Sequence, residues 1–222
     1  MDTTTNVLRT ERFEIENPQV VINTRSSQVL VKESTDGMSR VEITGSSDSA
    51  ARFAQEALIE QSGHKLLIRL EKNKGGIRDL IGGKASGISV TAWLPTSATI
   101  EINAVSADVD IDQVVRSLDV KTVSSDVTIH RNPTSECAVK TVSGDVVAMT
   151  QTSCKYDLKS VSGDFKVYVV PGLEIEVDGN SVSGQLSSEI ALGGVAVGQL
   201  DAIGSVTIDA KTVSGDFTLA RS

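Results

Sequence analysis

Aromatic side chains are almost missing from this sequence: one Trp, two Tyr and four Phe, or 3% of 222 residues. Basic excess is missing too, with 21 Lys and Arg against 29 Asp and Glu and a net charge of −8. Nucleic-acid grooves use stacked rings and positive charge, so a nucleic-acid partner is not expected. The acidic balance also opposes docking on an anionic membrane surface. No run approaches the roughly 18 apolar residues of a membrane span, so direct membrane insertion is not expected either. The two cysteines, Cys137 and Cys154, are too few for a disulfide framework and lack metal-ligand spacing. The first residues, Met1 to Thr5, show neither the basic nor the apolar region of a secretory signal. A cytoplasmic, reducing location is the expectation. His64 and His130, the only histidines, fall in no Ser/His/Asp pattern. No catalytic residue and no cofactor is expected.

What the sequence does hold is one phrase, repeated: Thr-Val-Ser-Gly-Asp followed by an apolar residue. It is near-perfect at Thr141–Val146, Ser160–Phe165 and Thr212–Phe217, and weaker at Ala104–Val109, Thr122–Val127 and Ser181–Leu186. Its serines are Ser106, Ser124, Ser143, Ser162, Ser183 and Ser214, the first four steps being 18, 19, 19 and 21 residues. A fixed period near 20 residues is the mark of stacked units.

With the Val before each Ser as reference, apolar residues recur at spacing two on both sides of the turn. Leu118 and Val120, Cys137 and Val139, Tyr156 and Leu158 precede it; Val127 and Ile129, Val146 and Ala148, Phe165 and Val167 follow it. Each unit is thus two short strands with one buried face. A hairpin would not require each position to be copied 19 residues on, whereas stacking coils about 4.8 Å apart does. The expected fold is all-β: a parallel β-solenoid of about 19-residue coils, right-handed by the general crossover preference. Gly144, Gly163, Gly184 and Gly215 suit a tight corner, and the serines suit hydrogen bonds to corner backbone.

Ahead of the repeats, Val20–Val31 aligns without a gap on Leu118–Ile129 and reads as a degenerate first coil. A helix is predicted over Asp48–Glu60, with Asp48 as its cap and Gly63 closing it. Strands are predicted around Val41 and Ile43, over Leu66–Leu70 and over Ile88–Leu94. Between the last two lies the Gly- and Lys-rich loop 71–87. Its Gly82-Gly83-Lys84 lacks the flanking Gly and Ser/Thr of a P-loop, and Leu80 and Ile81 in it are a candidate partner contact. One domain, 1–222, is expected: 1–97 with the degenerate coil, helix and longer strands, and 98–222 with the regular repeats.

Two charged columns flank the corner. Lys121, Lys140, Lys159 and Lys211 stand two residues before the reference Val, and Asp126, Asp145, Asp164 and Asp216 three after it. Pairing across the corner is the expected role. A calcium site is the weaker alternative, because no unit offers a full oxygen cage. The unit holding Gly179 and Ser188 breaks the inward columns, and 31 residues separate Ser183 from Ser214, so this coil should be the softest. The last strand, Asp216–Ala220, is expected to leave an open edge that a second copy could cover as an end-to-end homodimer, with capping by the chain's own N-terminal segment and a head-to-tail filament as the alternatives.

The phrase Thr-Val-Ser-Gly-Asp-Val with Leu-x-Val ahead of it, and Ile88–Pro95 before the repeats, resembles the bacterial toast-rack family, whose β-strand repeats carry an adhesin label. The resemblance covers residues 88–220 and extends to 20–70. It implies a domain without established enzymatic activity, associated with cell-envelope stress systems. The expected function is therefore a non-enzymatic scaffold or protein-interaction module. Carbohydrate binding or processing on a β-helix, and structural self-assembly, are the alternatives.

Overall fold

The computed structural model describes residues 5–70, 87–190 and 203–222. The repeated phrase sits at a corner, and the strands on its two sides enter different sheets. One sheet receives the strand before each corner: β8 (Thr99–Ala104), β10 (Ser117–Lys121), β12 (Glu136–Lys140) and β14 (Cys154–Lys159). The other receives the strand after it: β9 (Val109–Asp112), β11 (Val127–Ile129), β13 (Val146–Thr150) and β15 (Phe165–Val169). All these neighbours run parallel, and the register puts like on like. Leu118 lies between Ile100 and Cys137, and Val127 between Val109 and Val146. The inward columns from the two sheets meet in one continuous apolar core. Each fully buried Val, Leu, Ile or Phe there contributes on the order of 1.5–3 kcal/mol.

The degenerate first coil takes its expected place. β2 (Gln19–Thr24) and β3 (Gln28–Glu33) pair with β8 and β9, with Val20 opposite Ile100 and Val31 opposite Ile111. Beyond it lies a coil of β6 (Lys65–Leu70) and β7 (Ile88–Leu94). The chain therefore builds outward first and then returns to the other side of the first coil. The same device recurs at the far end. β16 (Leu173–Ser181) and β17 (Leu186–Ser188) form the outermost coil among the described residues, and β18 (Gly204–Thr212) with β19 (Phe217–Arg221) fills the gap between it and β14 and β15.

That order overturns the expected open edge at the last strand. β19 is paired on both sides, by β15 and by β17, with Thr218 opposite both Lys166 and Ser187. The physical reason is in the inward columns: Val206, Ile208, Phe217 and Leu219 are fully apolar and buried, as an inner coil requires. The coil with Gly179 and Ser188 cannot fill such a slot and lies outside, with Leu186 50% exposed.

The other end is closed by antiparallel strands. β1 (Asn6–Phe13) pairs with β4 (Ser39–Gly45), which pairs with β7, and β5 (Leu58–Ser62) pairs with β6. The predicted helix is shorter than expected: α1 spans Asp48–Glu56, and its cap is Ser47, whose Oγ accepts the Ala50 N–H at 3.1 Å. Leu58 to Ser62 leave the helix because Ile59 pairs opposite Ile68 in the sheet, and Gly63 serves the β5–β6 turn at φ 58°. α1 buries Ala50 and Ala54 and packs on β1 and β4. Arg9 of β1 donates to the helix-end carbonyls of Ala54 and Ala57, groups that no helix can satisfy internally.

Candidate protein-interaction ridge

Every position of the phrase but one commits its side chain, or its lack of one, to building the corner. The Thr position closes the turn: Thr141 Oγ1 accepts the Gly144 N–H at 3.0 Å, and Thr212 accepts that of Gly215 at 3.0 Å. Ser160 and Ser181 do the same for Gly163 and Gly184, at 2.7 and 2.8 Å. The Ser backbone carries the sheet ladder around the corner. Ser124, Ser143, Ser162, Ser214 and Ser183 donate their N–H to Val105, Val123, Val142, Val161 and Val213 of the adjacent coil, at 2.8–2.9 Å; Ser106 donates to Arg25 at 2.7 Å. The hydroxyls of Ser143 and Ser162 reach the same carbonyls at 3.2 Å.

The glycines are required by closeness, not by a left-handed backbone. A Cβ on Gly144 would stand 1.7 Å from the Ser125 carbonyl oxygen, and one on Gly163 2.0 Å from that of Gly144. On Gly215 it would meet the Gly163 oxygen at 2.1 Å. No side chain fits there.

The Asp column is a ladder of its own. Asp126 Oδ1 accepts the Asp145 N–H at 3.0 Å, Asp145 Oδ1 that of Asp164 at 3.0 Å, and Asp164 Oδ1 that of Asp216 at 2.8 Å. Asp216 Oδ1 then takes the Gln185 N–H at 2.8 Å. This explains why Gln can follow in the outermost coil: its N–H is used, and among the described residues no further coil needs its side chain. The lysines do not reach these carboxylates. Lys121, Lys159 and Lys211 pair instead with Asp119, Asp157 and Asp209, two residues back on the same strand, at 3.0, 2.8 and 2.9 Å. Residues i and i+2 share one face of a strand, whereas the Asp column lies beyond the corner. Lys121 also reaches Glu101 of the adjacent coil at 3.1 Å. Lys140, with Ala138 in the corresponding place, has no ion pair among the described residues.

The exception is the Val, whose carbonyl takes the Ser N–H of the next coil but whose side chain is left exposed. Val105, Val123, Val142, Val161 and Val213 are 42–48% exposed and Val182 is 80% exposed. The Ser-to-Val backbone bonds fix their order along the stack and space them about 4.8 Å apart. At the corner two successive residues, Val and Ser, both face outward, which breaks the alternation of the strands on either side. The result is a convex apolar ridge between a Lys column and an Asp column. The sequence carried the signal for it, a Val between two small residues, both polar in five of the six regular units. That signal marks the alignment well and conceals that the position is outside.

Other candidate chemistry is sparse. Cys137 and Cys154 are free and buried. Burial raises the Cys137 thiol well above its usual range and pushes Cys154 up to about 12, so both stay protonated. Tyr156 is raised by the same burial and shares a 2.8 Å hydrogen bond with Thr150. A shallow groove of about 270 Å³ on the outer face of β3, β9 and β11 is lined by Leu30, Val31, Lys32, Asp110, Asp112 and His130. His130 Nε2 lies 3.3 Å from Asp110 there, with no hydroxyl or thiol in the lining. Among the described residues no group of three or more His, Cys, Asp and Glu is placed to hold a metal. None of their helices is long and apolar enough to cross a membrane. The candidate contacts Leu80 and Ile81 lie outside the described residues.

A family model described as Toastrack DUF4097 matches residues 17–219. A solved "putative adhesin" from Bacteroides fragilis is similar in fold, with 15% identity, a TM-score of 0.52, and 100% of this chain and 98% of that one covered. A "putative cell adhesion protein" from Clostridium sporogenes has 9% identity and a TM-score of 0.45, with 96% and 99% covered. A "putative lipid binding protein" from Parabacteroides distasonis has 10% identity and a TM-score of 0.40, with 100% and 98% covered. No curated protein matches.

Proposed function

The chain belongs to the Toastrack DUF4097 family, and on that footing we propose that it is a non-enzymatic interaction scaffold that offers its valine ridge to a protein partner. The observation that carries this is the division of labour at the corner. The Thr side chain closes each turn and Ser, Gly and Asp join one coil to the next, while six valine side chains in line remain on the outside. Apolar side chains exposed singly need no explanation, but a contiguous row between polar borders is the form of a docking surface. The link to cell-envelope stress implied by the family resemblance is in keeping with a partner-binding role.

Carbohydrate binding has less support. Tyr156, Phe165 and Phe217 are buried in the core, and Trp93 lies under the Arg40 guanidinium at 3.9 Å. Among the described residues no row of rings is left to stack on a sugar chain. The test is a photo-cross-linking amino acid placed at Val142 and, as a control, at exposed Thr207 on the outer face of β18, in the protein expressed in its native cell. A discrete protein adduct from position 142 and none from 207 is expected. Equal labelling from both, or none from 142, would overturn the ridge as the contact surface.

A further inference from the structure

We infer that the ridge takes a second copy of this chain, as a side-by-side dimer whose two stacks point the same way about a two-fold axis parallel to the stack. The inference rests on the ridge being the interaction surface proposed above, and adds what occupies it. Shape comes first: a convex ridge one residue wide cannot enclose a small molecule, so its complement is a groove or another ridge. Spacing comes next. Rows repeating every 4.8 Å or so pack in phase only against rows of the same rise, and an identical stack supplies that rise along its whole length.

Charge then chooses the direction. Across the ridge the outward columns run Lys, Val, Ser, Asp. Turning a second copy by 180° about the stack axis reverses that order, so each Lys column faces an Asp column and the valines interleave beside the opposing serines. An antiparallel arrangement keeps the order instead. It sets Asp126, Asp145, Asp164 and Asp216 against the same column of the partner copy, and lysines against lysines. Like charges facing one another are disfavoured and opposite ones fix register. Lys140, which has no ion pair of its own among the described residues, is the cation best placed to reach across.

The contact is narrow, so the dimer is weak, and sedimentation of the full chain should be followed up to about 1 mM. Val142→Asp should weaken association at least tenfold, and Lys140→Glu roughly threefold to tenfold, with circular dichroism unchanged in both. Direction is read from single cysteines near the two ends of the ridge, Val105→Cys and Val182→Cys, joined by a short bis-maleimide; buried Cys137 and Cys154 give a low background. Each variant alone should form a cross-linked dimer, and a mixture should give only like-with-like products. A mixed 105–182 product would overturn the parallel arrangement. A monomer throughout the concentration range would overturn self-association altogether. Failure of that second kind, together with an adduct of position 142 to a different protein, would remove the dimer and leave the interaction scaffold standing.

Discussion

The coil of β18 and β19 and the coil of β16 and β17 turn the same corner with the same bonds. Ser214 and Ser183 each donate to a Val carbonyl of the coil below at 2.9 Å, and Thr212 and Ser181 each close the turn on a glycine. Their strands differ sharply. Ile208 and Leu219 are fully buried, while Val177 is half-buried, Gly179 stands opposite Ala210, and Leu186 is 50% exposed. The corner phrase therefore encodes the joint between coils, and the columns beside it encode how deep in the stack a coil can sit. Chain order decides neither: the later coil is the inner one.

The largest difference between the two should come from the glycines. Gly163→Ala, in an inner coil, has nowhere to move and should cost about 3 kcal/mol or more. Gly184→Ala meets a carbonyl just as close, 1.9 Å away on Gly215. No coil lies beyond it among the described residues, so the end coil can shift as a unit, at about 1–2 kcal/mol. Urea denaturation measures both. Equal losses would mean that the end coil is held as firmly as the rest.

Hydrogen exchange sharpens the same contrast. Amides of 175–186 should exchange faster than those of 206–219, by a factor of at least ten, because local opening follows missing apolar contacts. Equal protection would show that the corner bonds alone set stability.

Much of this was legible in the sequence, for definite reasons. The copying of Leu118 onto Cys137 and Tyr156 at 19-residue steps has only one physical use, stacking, and the observed registers follow it. The breaks at Gly179 and Ser188 announced a poorly buried coil. Its position was hidden, because an array is read in chain order and nothing in residues 173–188 states that a later segment will slip beneath them. The charge columns misled for a related reason. Counting along the chain shows Lys and Asp five residues apart, but the corner between them turns their side chains away from each other. Asp119, Asp157 and Asp209, two residues back on the same face, were the partners. Helix α1 was overrun at Leu58 because Leu58-Ile59 continues the apolar pattern of a helix as well as that of a strand.

The smallest effect concerns ion pairs between inner coils. Asn103 and Lys121 hold the Glu101 carboxyl below the usual range through hydrogen bonds. A depressed folded value stabilises the fold above the unfolded value, about pH 4.3, and that contribution is lost as pH falls through the folded value. The site is largely exposed, so the gain is below about 1 kcal/mol. Glu101→Gln should flatten this part of the stability profile between about pH 5 and pH 3. A profile unchanged by the substitution would mean that water screens the pair completely.

The division of labour at the corner is tested most directly by two valines three residues apart, Val139 and Val142, the first fully buried and the second 45% exposed. The measurement is the urea unfolding free energy of Val139→Ser and of Val142→Ser. The inner substitution should cost about 3 kcal/mol, through a cavity and a stranded hydroxyl. The ridge substitution should cost less than about 0.5 kcal/mol. A loss at Val142 as large as that at Val139 would show that the ridge valine holds the stack together, and would contradict a surface kept for contact.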